Sequence, residues 1–116
     1  MNILIIDDDV IFSNALSKIL SIDNHNVTII NDGAIGLSKF IENRDTIDYV
    51  ILDIMMPVLD GAQIYKIIRK LGNVKVIIVT GYTLNDGELK SEMYNNKNTV
   101  ILKKPFDMNE ILYIIQ

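Results

Sequence analysis

Five short apolar runs punctuate the chain: ILII (3–6), VTII (27–30), DYVILD (48–53), VKVIIVT (74–80) and TVIL (99–102). Each is rich in Ile and Val and nearly continuous rather than alternating, the pattern of strands covered on both faces in a parallel sheet. The intervening segments have helical periodicity. Over 10–21, Phe12, Leu16, Ile19 and Leu20 recur at three- and four-residue spacing. Asp32 is placed to cap a helix over 34–43 with Leu37, Phe40 and Ile41 inward, and Asp60 to begin one carrying Ile64, Ile67, Ile68 and Leu71, with Gly72 as its stop. The segment 83–96 makes the weakest helix, because Gly87 and the Asn95-Asn96 pair oppose it and only Leu89 and Met93 clearly share a face. Asp107 and Glu110 form a capping-box pattern ahead of ILYII.

Strand–helix units repeated in this way predict an α/β fold, a doubly wound parallel sheet with helices on both faces and right-handed crossovers. Of the common doubly wound orders, five strands suit the flavodoxin-like 2-1-3-4-5. A single domain over 1–116 is expected. The ligand crevice then lies outside the carboxyl ends of strands one and three, where the order reverses.

Composition narrows the classes. The chain has 116 residues, 49% hydrophobic and 22% charged, which suits a folded domain able to bury a core. It has no cysteine, so a disulfide scaffold and a cysteine-based zinc site are excluded. A net charge of −4 disfavours direct binding to nucleic acid or an anionic membrane. No apolar run approaches the roughly 20 residues of a membrane span, and the opening residues lack the parts of a signal peptide. A cytoplasmic location is expected. The apolar ending ILYIIQ suits a domain cut from a longer protein or a short natural variant.

The strand ends carry the chemistry. Strand one ends in Asp7-Asp8, strand two in Asn31-Asp32 at the sheet edge, strand three in Asp53, strand four in Thr80, and strand five in Lys103-Lys104 before Pro105. A polar residue at one strand end often marks only where the strand stops. Asp at two neighbouring ends with Lys beside them has no such structural requirement. Two unit charges about 4 Å apart repel by roughly 4 kcal/mol at an effective dielectric near 20, so a counter-charge is expected in the pocket. Asp9 is placed to cap the first helix. His25, between two asparagines, reads as a solvated turn residue, Met55-Met56 as packing and loop, Pro57 as a rigid loop position, and Gly61 as a site of tight packing or turning.

The segments IIDDDV, DYVILDIMMPVLDG, VIIVTGY and LKKPF resemble, in order and approximate spacing, four sequence blocks of the response-regulator receiver domain. The resemblance covers essentially the whole chain. It implies that Asp53 is the phospho-accepting aspartate. Asp7 and Asp8 match the acidic pair that holds Mg²⁺ or Mn²⁺, with the Asp53 carboxylate and the Met55 carbonyl as further ligands. Thr80 matches the switch hydroxyl. Lys104, not Lys103, matches the lysine that pairs with Asp53 when empty and with the phosphoryl group when loaded. The implied donor is a histidine kinase or histidine phosphotransfer domain. The chemistry is coherent, since a carboxylate can take a phosphoryl group as an acyl phosphate, and phosphoryl transfer needs positioning and charge neutralisation. Two departures touch the output side: Ile101 stands where receivers carry an aromatic, and Gly81 follows the threonine where a small Ala is often found.

Two alternative readings fit parts of the sequence. DDDVI also resembles the opening of haloacid-dehalogenase-type phosphatases, with Asp7 as nucleophile, Asp9 as acid/base, and Thr80 and Lys104 in the next two motifs. That reading lacks a later acidic motif and leaves the Asp53 block unexplained. The other alternative is an interaction module that keeps the fold without the switch.

Overall fold

The apolar runs become strands buried from both sides. In the computed structural model, the described residues are 1–56, 60–81 and 87–116. The elements alternate as β1 (Asn2–Ile6), α1 (Val10–Ile22), β2 (Asn26–Ile30), α2 (Gly33–Asn43), β3 (Tyr49–Asp53), α3 (Gly61–Leu71), β4 (Lys75–Thr80), α4 (Gly87–Asn95), β5 (Thr99–Lys103) and α5 (Met108–Ile115). The strands form one parallel sheet in the order β2-β1-β3-β4-β5, the flavodoxin-like arrangement expected from the sequence.

The two-residue period of the strands divides the core between the two faces. Leu4, Ile6, Val50, Leu52, Val76 and Ile78 pack with Phe40, Ile64, Tyr65, Ile68 and Met93. Ile3, Ile5, Tyr49, Ile51, Ile77 and Val79 pack with Leu16, Leu20, Ile111 and Ile115. Because β1, β3 and β4 are covered twice, neither face of these strands needs polar residues, and their sequence shows no alternation.

Aspartates start four of the helices. Asp9 accepts from the Phe12 N–H at 3.0 Å, Asp32 from Ile35 at 2.9 Å, Asp60 from Ala62 at 2.9 Å and Asp107 from Asn109 at 2.9 Å. Each satisfies a backbone donor that has no partner within its helix. In α5 the cap reaches the second helical residue rather than the third, and Glu110 contributes its charge to the first turn.

Several inward positions differ from those expected. Ile41 is 45% exposed; the stripe of α2 that faces the sheet runs through Leu37 and Phe40, as expected, and through Gly36. A Cβ on Gly36 would stand 2.8 Å from the Ile6 Cγ2, so α2 approaches the sheet at a residue with no side chain. In α3, Ile64 and Ile68 are buried, but Ile67 and Leu71 lie at the surface and Tyr65 takes the inward place. The Tyr65 hydroxyl meets Thr99 Oγ1 at 2.8 Å. Arg69 donates from Nε to the Tyr65 hydroxyl, from one terminal nitrogen to the Val74 carbonyl, and from the other to the Asn98 carbonyl and Thr99 Oγ1. An amphipathic pattern could not show that a tyrosine would be buried with its hydroxyl satisfied by this cluster. His25 is half-buried rather than solvated; its Nδ1 lies 3.2 Å from the Met1 amino nitrogen. In α4, Gly87 is the first residue and Asn95 the last, so the expected helix breakers sit at its ends, and Met93 is buried. The expectations for Pro57, for 82–86 and for the Leu89 side chain lie outside the described residues.

Gly61 fulfils the expectation of tight packing. A Cβ there would overlap the Asp53 carbonyl oxygen and lie 2.5 Å from the Ile54 Cα. These are backbone atoms of the strand that carries Asp53, and they have little room to yield. Gly61→Ala should therefore destabilise the protein by about 1–3 kcal/mol, despite the better helix propensity of Ala. Gly36→Ala meets only a side chain and should cost less. Urea unfolding of both variants checks the order.

Candidate functional site

Parallel pairing brings the carboxyl ends of all five strands to one rim. Asp7 follows β1, Asp53 ends β3, Thr80 ends β4, and Lys104 follows β5. The register pairs Ile6 with Leu52, Asp53 with Val79 and Thr80 with Lys103, which sets these residues side by side at the point where the strand order reverses.

Asp7 is fully buried. Its N–H donates to the Ile30 carbonyl at 3.2 Å, and its own carbonyl accepts from Asn31 Nδ2 at 2.7 Å. One carboxylate oxygen accepts the Asp9 N–H at 2.8 Å; the other takes the Lys104 ammonium at 3.3 Å. Asp8 is exposed, and Asp53 is 6% exposed with its Oδ1 accepting the Met55 N–H at 2.9 Å. Asp7, Asp8 and Asp53 each offer an oxygen within 4.8 Å of the others. Burial chiefly, with the Asp7 charge adding to it, pushes the Asp53 carboxyl up to about 7, against the opposing pull of the Met55 N–H and Lys104.

Thr80 is buried at the end of β4, and its carbonyl accepts the Lys104 N–H at 2.7 Å. The Lys104–Pro105 peptide is cis. Lys103 is exposed. The ion pair of Lys104 corrects the sequence reading: the ammonium pairs with Asp7, not Asp53. Each carboxylate has one oxygen engaged by a backbone N–H, and burial suppresses the charge of Asp53, so the other oxygen of Asp7 takes the ammonium. Of the Met55-Met56 pair, Met56 packs inward and Met55 is 51% exposed. Asp9 caps α1 through its Oδ1, as expected.

Two supporting residues escaped the sequence reading. Asn31 holds the Asp7 carbonyl and also donates to Ser13 Oγ at 3.1 Å; the buried Ser13 hydroxyl donates back to the Asp9 carbonyl at 2.8 Å. The signal for Ser13 was present, since it lies four residues after Asp9 on the apolar face of α1.

An acidic crevice at the switch point of a 2-1-3-4-5 sheet, with a lysine reaching in from the last strand, defines a class of phosphate-handling α/β domains. The model of the response regulator receiver domain matches residues 3–116, and the chain belongs to that family, a component of two-component signal transduction. The response regulator ArlR of Staphylococcus epidermidis is 32% identical over 96% of this chain and 49% of its own length. The chain thus spans about half the length of that relative. Among solved structures, a CheY-like receiver domain protein from Methanospirillum hungatei superposes with a TM-score of 0.85 at 27% identity, covering 98% of this chain and 89% of that one. A chain of the CheX–CheY–BeF₃–Mg²⁺ complex from Borrelia burgdorferi gives 0.83 at 26% identity, covering 99% and 86%.

The raised Asp53 pKa has a consequence for stability. Between its ordinary 3.8 and about 7, the folded state holds a proton that the unfolded state has released. The contribution is therefore fully present below about 3.8 and is lost as pH rises through about 7. In Asp53→Asn the Oδ1 acceptor for Met55 remains and the buried charge is gone. In metal-free buffer this variant should be more stable than the parent at pH 8, by on the order of 1–3 kcal/mol, with the gain fading towards pH 4. Thermal unfolding across that range, with ¹³C NMR of the Asp53 carboxyl, measures both quantities.

Proposed function

We propose that residues 1–116 form one receiver domain in which Asp53 accepts a phosphoryl group from the phosphohistidine of a histidine kinase or histidine phosphotransfer domain in the cytoplasm. The observation that carries this reading is the convergence of three carboxylates within 4.8 Å beside a single ammonium. An Asp53 carboxylate oxygen attacks phosphorus in line with the departing imidazole nitrogen. The O–P bond of an acyl phosphate forms as the N–P bond breaks, and the leaving nitrogen takes a proton from water, so that neutral imidazole departs. Among the described residues no helix is long and apolar enough to cross a membrane, consistent with this setting.

The donor set fits a hard divalent cation. Carboxylate oxygens from Asp7, Asp8 and Asp53, with the Met55 carbonyl, are the oxygen ligands that Mg²⁺ or Mn²⁺ takes, and a bound cation would offset the burial and the Asp7 charge that push the Asp53 carboxyl up. The ion would supply neutralisation of the phosphoryl oxygens. Lys104 moves its ammonium from Asp7 towards the phosphoryl group, and Thr80 hydrogen-bonds another phosphoryl oxygen. Exposed Asp8 leaves the crevice open to a donor.

Acetyl phosphate with Mg²⁺ should add one phosphoryl group to the intact mass. The label should vanish in Asp53→Asn and without divalent metal. Asp8→Ala should weaken Mg²⁺ binding more than Asp9→Ala does, since Asp9 is a helix cap whose removal costs about 1 kcal/mol of stability. Labelling that survives in Asp53→Asn refutes the assignment.

Phosphorylation then switches the surface of α4, β5 and α5. Ile101 is half-buried and packs on the core cluster that includes Met93, so no large ring is available there to turn inward. The response passes through the backbone of 81–88 and through α4. A phosphoryl group shifts this equilibrium only by binding the active arrangement more tightly. Beryllofluoride should move the NMR signals of 81–96; changes confined to the neighbours of Asp53 would refute this route.

A further inference from the structure

The Lys104 ammonium has a second neighbour besides Asp7. Its Nζ lies 4.0 Å from the centroid of the Phe12 ring, within the range where a cation is attracted to an aromatic face. The Phe106 ring meets Phe12 edge-on, with centroids 5.9 Å apart and planes at 81°, an arrangement favourable for an aromatic pair. Both rings pack against the core cluster on the α1–α5 side of the sheet.

The backbone ties Phe12 to the same acidic corner. The Asp9 N–H donates to Asp7 Oδ1 at 2.8 Å, and Asp9 Oδ1 accepts the Phe12 N–H at 3.0 Å. Asp7, Asp9, Phe12 and Lys104 thus close a circuit of contacts. One arm is an ion pair, two are hydrogen bonds and one is an ammonium over a ring. Lysine reaches its site on a flexible stem with rotatable donors, so its position must be set by what surrounds the head group.

We propose that Phe12 is a positioning residue for Lys104: its ring face, buttressed by Phe106, holds the ammonium at the mouth of the acidic crevice. Asp7 takes one N–H and the ring covers one side of the charge. The ring attracts charge without supplying an anion, so it restrains the head group while leaving it able to move to a phosphoryl oxygen. The inference rests on the role given to Lys104 above.

The test compares rates of labelling by acetyl phosphate at saturating Mg²⁺. Phe12→Leu keeps the apolar volume and loses the ring; it should be about three- to tenfold slower, the factor that such a contact supplies. Phe12→Tyr retains the face and should stay within about twofold of the parent. In a Lys104→Ala background, Phe12→Leu should cause no further loss, because the coupling runs through the ammonium. The Lys104 ε-methylene protons, shifted upfield by the ring in the parent, should return to the ordinary lysine position in Phe12→Leu. Phe12→Met serves if the Leu variant fails to fold. Parental rates in a folded Leu or Met variant, equal slowing in Phe12→Tyr, or a loss that persists without Lys104 would each overturn the proposal. Full-rate labelling of Lys104→Ala would instead remove the role of Lys104, and this inference with it.

Discussion

Two carboxylates buried next to each other, Asp7 and Asp53, set the terms for the rest of the structure. Burying an ionised carboxylate without a partner is costly, and burying two side by side adds their repulsion. The fold answers with three devices. Backbone N–H groups of Asp9 and Met55 point at the oxygens, an ammonium from the far end of the chain reaches Asp7, and Asp53 surrenders part of its charge by titrating higher. None of these neutralises the pocket. Three carboxylates still face one ammonium, and that imbalance is what the proposed cation would offset.

The same constraint explains the packing around β3. Asp53 can be held against Asp7 only if its strand stays in register after the last residue, and the Ile54 N–H continues the pairing by donating to the Val79 carbonyl at 3.2 Å. Gly61 then brings the start of α3 directly onto this backbone. Packing at a glycine therefore serves the geometry of an acid.

The sheet, its order and the residues at the strand ends were legible in the sequence, because doubly buried strands leave an unbroken apolar run and parallel pairing sends all their ends to one side. The aspartate caps were legible for a similar reason: a helix start is a local event with a local donor. What stayed hidden depends on contacts between distant segments. Ile41, Ile67 and Leu71 looked inward by spacing alone, whereas α2 adds Gly36 to the expected Phe40 and α3 turns Tyr65 inward. Lys104 was placed at the site but assigned to the wrong carboxylate, since the choice between Asp7 and Asp53 depends on how burial divides charge between them. Asn31 looked like a strand terminator because nothing in its neighbours shows that it reaches the Asp7 carbonyl.

The Arg69 cluster lies at the opposite end of the sheet from the carboxylates. Its guanidinium spans the Val74 carbonyl, just before β4, and the Asn98 carbonyl with Thr99 at the start of β5. The entering ends of these two strands are thereby stapled together and to α3, while their leaving ends carry Thr80 and Lys104. At the leaving ends the Lys104 N–H donates to the Thr80 carbonyl, so the two strands are pinned at both ends and neither can slide past the other without breaking one of the two clasps.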